Sequence, residues 1–98
     1  MSTVVREDFG QPTNITTATT TTVKSGVGAL VAIVVNKAVA SSTITIYDNT
    51  AASGTKIGTI THPATLTANQ YSLPFFCRFA NGLTIVTSST DDITVIWR

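Results

Sequence analysis

Apolar residues in this chain come in short runs that alternate with threonine, and that spacing decides the fold class. Thr43-Ile44-Thr45-Ile46-Tyr47 and Ile93-Thr94-Val95-Ile96-Trp97 send successive side chains to opposite sides, the two-residue period of a half-buried strand. Lys56–Thr61, with Ile57 and Ile60, and Leu83-Thr84-Ile85-Val86-Thr87 also read as strands. Ile15–Val23 carries the alternation through a threonine tract and reads as one edge strand. Val27–Val35 is apolar throughout and fits either a helical stripe or a strand buried on both faces. Five β-branched residues in those nine, with glycines at Gly26 and Gly28, favour a central strand.

Turn chemistry separates most of these runs. Asp48–Gly54 is loop-forming, and His62-Pro63 ends the strand before it. Asn81-Gly82 reads as a tight turn with the positive φ of a primed hairpin. Ser88–Asp92 is expected to join the last two strands as a hairpin. Tyr71–Phe79 is aromatic, and Pro74 assigns it to an edge or a bulge. The expected fold is all-β, an antiparallel β-sandwich or jelly roll of about seven to eight strands. Its 98 residues make one domain, over 14–98, preceded by an extended N-terminal arm over 1–13 that ends in Gly10-Gln11-Pro12.

Charge narrows the function. Charged residues are 11% of the chain, under half the roughly 25% of an ordinary domain, and 20 Thr and 8 Ser supply the solvating groups instead. Net charge is +1, from six scattered bases and five acids, which leaves little for phosphate tracking, so no nucleic-acid partner is expected. The nine-residue apolar run falls short of the roughly 20 needed for a membrane helix, and no membrane role is expected. Ala38-Val39-Ala40 after that run imitates a signal-peptide cleavage site. The acidic, threonine-rich residues before it argue against that reading. Cys77, the one cysteine, reads as a buried thiol.

No catalytic or metal motif emerges. His62 is the only imidazole and reads as a loop residue, solvated or capping a turn. Asp91-Asp92 reads as turn chemistry rather than a metal site, and no cofactor is expected. Gly26-Val27-Gly28 lacks the third glycine of a dinucleotide fingerprint. Tyr71, Phe75, Phe76 and Phe79 could stack on a sugar but are better read as core. Strand edges with so few charges invite pairing with other chains. Ile93, Val95 and Trp97 share a face expected to be core, with Trp97 buried in its own sandwich or against a partner subunit.

Thr43–Asp48 running into Asn49–Thr55, and the tail Asn81–Val95 with its Gly82-Leu83-Thr84 opening, resemble small virion structural proteins of tailed bacteriophages. The likeness spans about residues 20–98. It implies a non-enzymatic building block, most often a head decoration (cement) protein on the outer surface of the capsid. Its partner would be the major capsid protein, with the chain assembled as a homotrimer. Contacts are expected from the arm and strand edges, through Val4, Val5, Phe9, Ile15 and Trp97. The competing expectation is a tail or fibre carbohydrate- or receptor-binding module, which would use Tyr71, Tyr47 or Trp97 exposed together on one loop end. A small hydrolase would require His62 beside a hydroxyl and a carboxylate.

Overall fold

The structure, a computed structural model, describes residues 10–98. They form eight antiparallel strands: β1 (Gln11–Ile15), β2 (Thr20–Ser25), β3 (Gly28–Lys37), β4 (Thr43–Asp48), β5 (Thr55–Thr61), β6 (Tyr71–Phe79), β7 (Gly82–Thr87) and β8 (Asp92–Trp97). Pairing follows one long hairpin whose tip is the β4–β5 loop. β4 pairs with β5, β3 with β6, β2 with β7 and β1 with β8. Rolling that hairpin adds the β3–β8 and β4–β7 ladders. Two four-stranded sheets result, β1-β8-β3-β6 (sheet A) and β2-β7-β4-β5 (sheet B). The described residues are therefore an all-β sandwich with jelly-roll strand order.

Alternation places the core as expected. Leu30, Ile33, Val35, Phe79, Ile93 and Val95 from sheet A meet Ile44, Ile46, Ile60, Leu83 and Ile85 from sheet B, all buried. Each such side chain contributes about 1.5–3 kcal/mol relative to exposure. Gly28 lies where chain packs against chain: a Cβ there would come within 2.6 Å of Phe79 Cζ and collide with the Arg98 carbonyl. This close approach, not nucleotide binding, accounts for the glycine.

Four expectations need correction. The single strand over Ile15–Val23 is two strands in different sheets. Ile15 is buried under sheet A, while Thr20 already pairs with Val86 in sheet B, so Thr16–Thr19 must cross between layers. The β7–β8 connection is likewise a crossing rather than a hairpin, because β7 lies in sheet B and β8 in sheet A. Asn81-Gly82 also joins the two sheets, and neither residue adopts positive φ. Alternation reports which face a residue occupies, not which sheet. Finally, Gln11–Thr13 belong to β1 rather than to a free arm.

All four edge strands are blunted without relying on charge. β2 carries one extra residue at Val23, β5 one at Ile57, and β6 one at Phe75-Phe76 against Val31, with Pro74 beside it. β1 has five residues and includes Pro12. Bulges and prolines disrupt the ladder a foreign strand would copy, so the open edges inferred from low charge are already protected.

Candidate functional site

One end of the sandwich holds a polar cluster that extends the core stripes by one step. Ser42 precedes the inward Ile44 and Ile46, His62 follows Ile60, Tyr71 precedes Leu73, and Asp91 precedes Ile93 and Val95. Keeping the two-residue parity past each strand end turns all four inward. That parity was the available signal in the sequence. Reading the segments between strands as solvated loops concealed it.

Ser42, His62 and Asp91 are 2%, 4% and 0% exposed, which corrects the reading of His62 as a solvated loop residue and of Asp91 as turn chemistry. Ser42 Oγ lies 2.8 Å from Asp91 Oδ2, 2.8 Å from His62 Nδ1 and 2.9 Å from the Val39 carbonyl oxygen. His62 Nδ1 lies 3.0 Å from Asp91 Oδ2. The Val39 backbone N–H donates to the same oxygen at 2.9 Å. His62 Nε2 bonds the Tyr71 hydroxyl, the two rings standing edge to face at 89°. Among the described residues, Asp91 Oδ1 is the buried side-chain polar atom with no hydrogen-bond partner. Burial, and then the Asp91 charge, push the Tyr71 hydroxyl above its ordinary pKa.

The parts of a hydrolytic triad are present, but their wiring differs. A serine hydrolase needs the hydroxyl on one imidazole nitrogen and the carboxylate on the other. Here both meet Nδ1, and Tyr71 occupies Nε2. One nitrogen cannot donate to Asp91 and accept the Ser42 proton together. What the cluster does is join the β3–β4 connection, the ends of β5 and β6 and the β7–β8 connection into one unit. Beside it, Tyr71 also lines an open groove of about 390 Å³ with Val34, Asn36, Gln70 and Ser72.

The expected contact residues separate. Val4, Val5 and Phe9 lie outside the described residues. Ile15 is buried in the chain's own core, so it is not available as a contact residue. Trp97 is half-buried against that core; its Nε1 donates to Thr13 Oγ1 at 2.9 Å and Lys24 Nζ lies 5.8 Å from the ring centroid. Of the aromatic cluster, Phe79 is core and Tyr71 and Phe75 pack against it. Phe76 departs from the expectation at 78% exposed. Tyr71 lies level with Val35 and Ile93, whereas Trp97 lies level with Leu30 at the other end of sheet A, so the two are not displayed together. No family model, curated protein or solved structure matches this chain.

Proposed function

We propose that this chain is a structural component of a tailed-phage virion: a head decoration protein that binds the major capsid protein on the capsid's outer surface and stabilises the lattice. In this reading it works as a homotrimer at lattice three-folds and needs no cofactor. The observation that carries the proposal is the burial and wiring of the Ser42–His62–Asp91 cluster. The chain's one imidazole is committed to holding loops together, and the accessible surface is hydroxyl-rich, poor in charge and dotted with apolar side chains. Such a surface suits contact with other polypeptides rather than proton transfer. Jelly rolls serve viral capsid and lectin domains alike, so topology is compatible with both readings. Tyr71 and Trp97 lie at opposite ends of sheet A and cannot form one shared sugar platform, which supports decoration over a carbohydrate module built on that pair.

The test locates the protein on purified particles by gold-labelled antibody and compares occupancy with a variant lacking residues 1–9. That deletion stops short of β1. The proposal expects labelled heads and at least a tenfold loss of occupancy for the variant. Labelled fibres would favour the alternative, and unlabelled particles would overturn both.

A further inference from the structure

At the cluster end of sheet A, β3 and the start of β6 frame the groove that Tyr71 shares with Val34, Asn36, Gln70 and Ser72. β3 carries one extra residue there: Val35 pairs with Ile93 and Lys37 with Asp92, so Asn36 has no register partner of its own on β8. Bulges of this kind re-aim a side chain and recur beside active sites. The Asn36 side chain is held from behind. Its Nδ2 donates to Thr94 Oγ1 at 3.0 Å and to Asp92 Oδ1 at 3.2 Å, and Asn14 Nδ2 donates to the same Asp92 oxygen at 2.8 Å. A carboxylate oxygen only accepts, so the amide cannot be turned round without setting two acceptors against each other. β3 lies between β8 and β6. With Nδ2 committed toward β8, Oδ1 is turned toward β6 and the groove.

The rest of the lining is equally specific. Among the described residues, Asn36 Oδ1, the Gln70 side-chain amide and the exposed Ser72 hydroxyl have no hydrogen-bond partner. Val34 is half-buried opposite Ser72, its register partner. Of the lining residues Tyr71 alone can ionise, and its hydroxyl is bonded to His62 Nε2 in the buried cluster, so nothing in the groove matches a charged ligand. What it offers is a fixed acceptor and two neutral groups that both give and take a hydrogen bond, set around an apolar valine. Neighbouring hydroxyls on a saturated ring have the complementary chemistry, each donating and accepting, with C–H groups between them. The groove runs along three residues on either side, two steps of about 3.3 Å, which suits one such ring and is short for an extended peptide. Its volume of about 390 Å³ falls at the small end of the roughly 300–1,000 Å³ usual for small-molecule sites.

We infer that this groove binds one ring of a neutral saccharide, with Asn36 Oδ1 accepting from one ring hydroxyl and Gln70 and Ser72 engaging its neighbours. The His62–Tyr71 bond and the Asn14–Asp92–Asn36 chain position the lining before a sugar arrives. The site uses neither Tyr47 nor Trp97, and it stands whether or not the chain decorates a particle.

Nuclear magnetic resonance on the isotopically labelled full chain tests it, by titration with glucose, galactose, mannose and N-acetylglucosamine, each to about 100 mM, enough to fill a site of millimolar affinity. At least one of these sugars is expected to move the Asn36 and Gln70 side-chain amide resonances along a saturating curve. Gln70→Ala and Ser72→Ala remove exposed groups that the fold does not use, so each should keep the parent spectrum elsewhere and bind that sugar about fivefold more weakly. No saturating shift with any of the sugars, or an affinity unchanged in both variants, would overturn the inference. Saturation of the same resonances by a capped triglycine peptide and by none of the sugars would also overturn it, by assigning the groove to a polypeptide.

Discussion

At the residue scale, Asp91 carries the greatest energetic risk. It is a fully buried carboxylate supported by one backbone N–H, one hydroxyl and one imidazole, all at Oδ2. Removing it leaves the Val39 N–H, the Ser42 hydroxyl and the His62 ring without a buried acceptor, and each unsatisfied group costs about 1–3 kcal/mol. Asp91→Ala is therefore expected to lose about 3 kcal/mol in urea unfolding, and a change below about 1 kcal/mol would show that the cluster is not structural. Tyr71 gives a second handle. Its folded pKa is raised, so its contribution is fully present below the unfolded value of about 10 and is lost as pH rises through the folded value. The urea midpoint should fall more steeply above about pH 10 in the parent than in Tyr71→Phe. Cys77, also pushed up by burial and then by Asp48, is common to both proteins and cancels in the comparison.

At the scale of elements, Asp48 ties β4 of sheet B to the connection by which the chain passes from sheet A to sheet B. Placed at the end of β4, it accepts the Ala80 N–H at 3.0 Å and the Asn81 N–H at 2.8 Å from the β6–β7 connection. Those backbone bonds hold its pKa below the ordinary value. The contribution is therefore present above the unfolded value of about 4 and lost as pH falls through the folded one. Asp48→Asn should flatten the acid limb of the stability profile measured by urea unfolding between about pH 2 and pH 5. Strands were legible in the sequence because β-branched alternation is local: Thr43–Asp48 and Asp92–Trp97 form where the pattern puts them. Sheet membership was not legible, because Thr16–Thr19 and Ser88–Asp91 cross layers with the same polar residues that would make a hairpin turn. The cluster was concealed for a related reason. Ser42 and Asp91 are far apart in the chain, and only the rolled topology brings them to His62.

At the scale of the whole molecule, the two ends of the sandwich are built differently. At one end, the connections around Ser42 and Asp91 and the ends of β5 and β6 depend on one carboxylate–imidazole cluster. At the other, the β4–β5 loop is anchored through Asn49 and Thr50, and its tip residues Ala51 and Ala52 are exposed. A ten-residue Gly/Ser insert between Ala51 and Ala52 should cost about 1 kcal/mol or less, since loop-closure entropy grows slowly with length. The same insert between Ala40 and Ser41 should cost several-fold more, measured by urea denaturation of both. As a display scaffold the domain is thus one-sided: peptide libraries can be grafted at the β4–β5 tip one position at a time, whereas the cluster end would have to be redesigned as a block, every loop with its neighbours.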